Sequence, residues 1–106
     1  MNYTLLTFTA LFMLIDVVTG LTKALKNKNF SSSKMRNGLY NKIGEVLAVA
    51  FSVVCEYASV YNLGIDNLPL FEGVNIYIII MEVSSIIENI VDINPGLKEL
   101  FKKGGD

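Results

Sequence analysis

Three long apolar runs, separated by short polar stretches, organise the chain. The first runs from Tyr3 to about Leu21, YTLLTFTALFMLIDVVTGL, and Asp16 is its only charge. The second runs from Ile43 to about Leu63 and contains Glu45 and Glu56; the third, from about Leu70 to Ile93, contains Glu72, Glu82, Glu88 and Asp92. About twenty predominantly apolar residues are needed to cross the hydrocarbon core of a bilayer. The pattern therefore predicts an all-α integral membrane protein with three transmembrane helices, spanning about residues 3–22, 43–63 and 70–93. Between the first two spans lies a basic loop, 23–42, and after the third a tail, 94–106, all in a single membrane domain.

Turn-forming and helix-breaking residues support these boundaries. Asn27–Ser33 is polar, Asn62-Leu63-Gly64 follows the second run, and Pro69 suits the start of the third. Asn94-Pro95-Gly96 stops the last helix, because proline cannot continue the backbone hydrogen bonds. A secretory signal would open with a basic segment, yet no charge precedes Asp16 and the basic residues follow the apolar run, so a retained membrane helix is expected.

Within each span the polar residues fall on one side. At about 100° per residue, Thr9, Asp16 and Lys23 share a face of the first helix. Glu45, Ser52, Glu56 and Ser59 fall within an arc of roughly 60° on the second. Asn75, Glu82, Ser85, Asn89 and Asp92 occupy an arc of roughly 100° on the third, with Glu88 at its edge. Charges facing hydrocarbon are expensive, so these stripes should face other helices or water. Asp16, Glu45, Glu56, Asn75, Glu82, Ser85, Glu88, Asn89 and Asp92 are accordingly candidates for lining a pore or an oligomer contact. Hydrogen bonding between helices alone also accounts for such stripes, and both alternatives stay open. The third span is the most marginal. Its strongly apolar residues between Phe71 and Val91 contribute roughly −4 to −7 kcal/mol to insertion, which ionised Glu82 and Glu88 nearly cancel.

Composition narrows the function classes. Of 106 residues, 52% are hydrophobic and 18% charged, and the mean hydropathy is +0.46. Too little polar material remains to coat a water-soluble globule of this size. Three short helices cannot enclose a wide channel, so a large opening requires a homo-oligomer. With one cysteine, Cys55, and no histidine, neither an intramolecular disulfide nor a transition-metal site is expected. The chain has no glycine-rich phosphate loop and no nucleophile–base pairing. No enzymatic activity, no cofactor and no nucleic-acid partner are expected.

The net charge of −1 is uninformative, but its placement is not. Residues 23–42 hold Lys23, Lys26, Lys28, Lys34, Arg36 and Lys42 with no acid, whereas Gly64–Pro69 holds Asp66 and no base. The tail adds Lys98, Lys102 and Lys103. The positive-inside rule then places the basic loop and the C-terminus in the cytoplasm, with the N-terminus outside. The six bases of the loop serve as a topology signal and are also candidates for contact with the membrane surface.

Several ordered segments carry a resemblance. Leu14-Ile-Asp16-Val-Val-Thr-Gly20 is followed by Ser31-Ser-Ser-Lys34, then Gly38 and Lys42. Further on come Glu82-Val-Ser-Ser-Ile-Ile-Glu88-Asn89 and Asn94-Pro95-Gly-Leu97. Together they resemble the phage holins, a family that also includes the clostridial toxin-secretion holins. A glycine often stands between the first glutamate and the serine of the third segment; this chain has Val83-Ser84 there. The resemblance implies a protein that accumulates in the bacterial inner membrane, oligomerises and opens lesions, releasing an endolysin or assisting export of a large toxin. A small ion or solute transporter using Asp16, Glu56 or Glu82 is the competing expectation. A non-conducting antiholin or accessory subunit is another.

Overall fold

The computed structural model describes residues 1–28, 32–61 and 70–105. Among them no strand occurs. The elements are α1 (Tyr3–Asn27), α2 (Ser32–Val60), α3 (Leu70–Ile93), a 3-10 turn (Pro95–Leu97) and a short α4 (Lys98–Gly105). The first three are each long and apolar enough to cross a membrane.

Local chemistry sets the ends of α1. The Asn2 side chain accepts from the Leu5 N–H at 3.0 Å and caps the first turn. Lys28 takes a left-handed conformation, φ 52°, and returns its N–H to the carbonyls of Ala24 and Leu25. Between these ends the hydroxyls of Thr7, Thr9, Thr19 and Thr22 each donate to a carbonyl four residues back. A threonine satisfied inside its own helix is compatible with hydrocarbon, where no water would do so. At the end of α3, the Asn94 N–H still reaches the Ile90 carbonyl at 2.8 Å. Pro95 then forces the 3-10 turn, which the Asn94 side chain caps at Gly96.

α3 lies between the other two long helices and packs along both, more extensively along α1. The chain is a slab, 52 × 36 × 17 Å, close to one helix layer thick. Its buried apolar core is small: Phe71, Ile78 and Ile86. The other buried residues among those described are polar or charged: Thr9, Asp16, Ser52, Asn75, Glu82 and Asn89. Leucine, isoleucine, valine and tyrosine side chains cover much of the outside of the long helices. A polar interior under an apolar surface is the reverse of a water-soluble fold, and it suits a lipid solvent. On α3 the buried positions 71, 75, 78, 82, 86 and 89 form one stripe, alternating Phe, Asn, Ile, Glu, Ile and Asn.

Two expected boundaries move. Most of the basic segment 23–42 is helical: α1 continues to Asn27 and α2 starts at Ser32. Lysine and arginine are good helix formers, and their long stems let the charge reach water from a helix end, so basic residues do not stop either helix. The second helix ends at Val60, and the expected turn at Asn62–Gly64 lies outside the described residues, as do Asp66 and Pro69. The third helix occupies the expected 70–93. The tail expected at 94–106 contains the 3-10 turn and α4.

Candidate functional site

The three long helices meet chemically at Lys42. Its position, ten residues into α2, is about 15 Å along the axis from Ser32. Asp16 and Glu82 lie near the middle of α1 and α3. The Lys42 ammonium donates to Asp16 Oδ2 at 2.5 Å and also to Glu82 Oε2. Glu45, one turn further along α2, has its Oε2 at 3.8 Å from the same ammonium. One base thus faces three carboxylates at mid-depth of a membrane-spanning layer.

The cluster continues towards α1 and α3 through neutral groups. Asn89 Nδ2 donates to Asp16 Oδ1 and to Thr19 Oγ1, both at 3.1 Å. The Thr19 hydroxyl lies within hydrogen-bonding distance of the carbonyls of Ile15 and Asp16. Asp16 therefore has a partner on each oxygen, one from α2 and one from α3. Removing one member of such a buried set leaves an uncompensated charge, which typically costs about 3–5 kcal/mol. Among the described residues, two buried side-chain acceptors have no hydrogen-bond partner: Glu45 Oε2, at 3.8 Å from the Lys42 ammonium, and Asn75 Oδ1.

A second set of contacts joins the ends of α1 and α3. Lys23 pairs with Asp92 at 2.7 Å. Lys26 donates to the carbonyls of Asp92 and Ile93 at 2.9 and 2.8 Å, satisfying two acceptors that the end of α3 leaves open. At the opposite end of the slab the Tyr3 and Tyr57 hydroxyls meet at 2.9 Å. The C-terminal ends of α1 and α3 therefore lie together, while the start of α1 lies beside the end of α2. This is the up-down-up order of three spans.

The family model for the bacteriophage holin family matches residues 2–103. The chain belongs to the bacteriophage holin family. No match was found among curated proteins or among solved structures. With its three apolar helices, the chain is a holin-like, multi-pass membrane protein whose immediate surroundings are the lipid bilayer.

In this holin-family chain the polar residues expected on one face of each helix have different surroundings. Asp16, Glu82 and Asn89 are buried and joined in the Lys42 network. Ser85 is half-buried and lines a groove with Asp16, Lys42 and Asn89. Asn75 is fully buried, with its Nδ2 on the Phe71 carbonyl at 2.8 Å. Glu45 is half-buried at the edge of the cluster, and Glu56 is half-buried about one turn before the end of α2. Glu88 is exposed, and exposed Asp92 is engaged by Lys23.

The basic residues divide in the same way. Lys23 and Lys26 hold the end of α3, Lys28 caps α1, and Lys34 and Arg36 lie in the first turns of α2. Lys42, expected at the membrane surface, is instead a member of the central cluster. Its charge enters the layer because two carboxylates from other helices meet it there. The sequence did carry one sign of this: Lys42 and Glu45 stand at i and i+3, facing the same way on a helix. Thr19 was not among the expected residues, since a threonine in an apolar run is ordinary until Asn89 is placed beside it. Among the described residues no group of His, Cys, Asp and Glu side chains is arranged to hold a metal ion.

Proposed function

We propose that this chain acts as a holin: it oligomerises in the bacterial cytoplasmic membrane and opens lesions through which an endolysin, or a large toxin, passes. The reading is of a pore-forming protein without enzymatic activity, its basic helix ends on the cytoplasmic side. The observation that carries it is the Asp16–Lys42–Glu82 cluster, a set of charges held at mid-depth in a chain only about one helix layer thick. A slab of that shape encloses no wide channel by itself, and many copies are needed to border one. Asp16, Lys42 and Glu82 are partnered with one another within the single chain, so a lone copy can rest in lipid. Where copies assemble around water, the same groups have an alternative set of partners.

Such an exchange is cooperative, because one copy alone cannot border water. Expression in a bacterium together with an endolysin lacking its own export signal tests the reading. Culture density and release of a cytoplasmic marker enzyme are followed as the protein accumulates. Tolerated expression followed by abrupt, endolysin-dependent lysis is the expected result. Slow loss of ion gradients with no escape of protein, at any expression level, would replace the holin reading with a small channel or transporter. No effect on either would favour a non-conducting antiholin or accessory subunit.

A further inference from the structure

The two broad faces of the slab carry opposite charges at the same depth. Lys42 and Glu82 face each other across α2 and α3. Six residues towards the Ser32 end of the slab lie Arg36 on α2 and Glu88 on α3, each about 9 Å from that contact and about 120° round its helix. The two helices run antiparallel but both are right-handed, so the two rotations have the same sense and the side chains leave on opposite faces. Both residues are exposed, and among the described residues neither has an ion-pair partner.

On the Arg36 face α1 and α2 do not pack along each other, and a groove of about 1020 Å³ lies between them, floored by Ser85 and Asn89 of α3. Val17 and Leu21 form one wall, and Met35 and Leu39 the other; all four are exposed. Gly38 also lines the groove, and a side chain added there meets open space. From Val17 to Lys42 the chain has bases and no acid. On the Glu88 face α3 presents a ridge: Tyr77, Met81, Ser84 and Glu88, spaced four, three and four apart, are all exposed. No base occurs in α3. Glu88 lies about 9 Å from the middle of α3, whereas hydrocarbon extends about 15 Å from the bilayer centre. A lone chain therefore turns a carboxylate towards lipid, at a cost that a basic neighbour relieves.

We propose that a second copy of this chain seats the Ser84–Glu88 part of its α3 ridge in this groove, its Glu88 paired with Arg36 of the first copy. Depth and charge complementarity select this occupant. Copies in one membrane share an orientation, so groups at equal depth meet, and a ridge without bases enters a groove whose outer walls have no acid. Groove against groove would instead bring like charges together. Because ridge and groove lie on opposite faces, each docked copy leaves a fresh groove, and the contact propagates into a row instead of closing as a pair. This contact rests on the proposed assembly of copies in the membrane and specifies the surfaces that meet.

Disulfide trapping of the full chain in bacterial membranes, with copper phenanthroline as oxidant, tests the contact. Gly38 and Ser84 lie within about 3 Å of the same depth and leave Arg36 and Glu88 in place. In a Cys55→Ser background, the Gly38→Cys, Ser84→Cys double variant should oxidise to a ladder of trimers and larger species, and either cysteine alone should give little dimer. Added to that variant, Arg36→Gln or Glu88→Gln should cut the ladder about fivefold. The two together should cut it no further than either alone, because the same pair is lost each time. Independent effects, multiplying to about twenty-five-fold, overturn the pairing. Dimers from Gly38→Cys alone as abundant as the ladder set groove against groove and overturn the proposal. Endolysin-dependent lysis by a double variant that forms no ladder overturns this contact alone: copies then assemble through another surface, and the groove is left to lipid. Absence of lysis and of any oligomer, under an amine cross-linker as well, overturns the holin reading together with this contact.

Discussion

Lys42 and Asp16, twenty-six positions apart, meet at 2.5 Å in the middle of the layer. The contact ties α2 to α1, which it otherwise barely touches, and Glu82 completes it from α3. A single side chain thus links all three spans.

Loss of that side chain is expected to destabilise the chain strongly. Lys42→Met should lower stability against unfolding in detergent by about 3–5 kcal/mol, because Asp16 and Glu82 keep their burial and lose their counter-charge. The triple variant Lys42→Met, Asp16→Leu, Glu82→Leu should recover most of the loss, since well-packed apolar residues replace a buried ion cluster at little cost. Helicity followed against a denaturing detergent measures both. A Lys42→Met variant as stable as the parent would show that the cluster contributes little.

Glu82 separates insertion from assembly. Glu82→Gln preserves shape and removes charge, so membrane insertion should persist while the timing of lysis shifts. Glu82→Leu removes the group that makes the third span marginal, and should insert more efficiently yet oligomerise less. Alkali extraction reports insertion and cross-linking reports assembly. Parent-like assembly and permeabilisation by Glu82→Leu would make the carboxylate incidental.

The end of α3 depends on Lys26 more than on Lys23. Lys26→Ala removes two hydrogen bonds to terminal carbonyls and should cost about 1 kcal/mol locally, raising hydrogen exchange over the last turn of α3. Lys23→Ala breaks a partly exposed pair with Asp92 and should cost well under 1 kcal/mol. Equal exchange in the two variants would contradict this ranking.

Orientation is open to direct labelling. In a Cys55→Ser background, cysteines placed at Ser32 and Gly105 should be shielded from an impermeant thiol reagent in intact cells. A cysteine at Asn67, between α2 and α3, should react. Labelling at Gly105 without labelling at Asn67 would overturn the cytoplasmic assignment of the basic end.

The amino-acid sequence by itself determined the number of spans and the polar side of each. Hydrocarbon requires about twenty apolar residues per crossing, and a regular helix puts every third or fourth residue on one face, so both follow from spacing alone. That is why α3 occupies the expected 70–93, and why Asn75, Glu82 and Asn89 lie on one buried stripe. Tertiary structure decided which polar residues meet. Spacing on one helix does not say how far that helix is rotated towards a neighbour, or which neighbour is central. Glu82 and Glu88 look alike in sequence, yet α1 and α2 close over the first and leave the second exposed. Lys42 looks like the last residue of a basic loop, because its acidic partners are 26 and 40 positions away. Only the packing of α3 between α1 and α2 brings them within reach, and a lysine inside a membrane layer is tolerable only where such carboxylates are waiting.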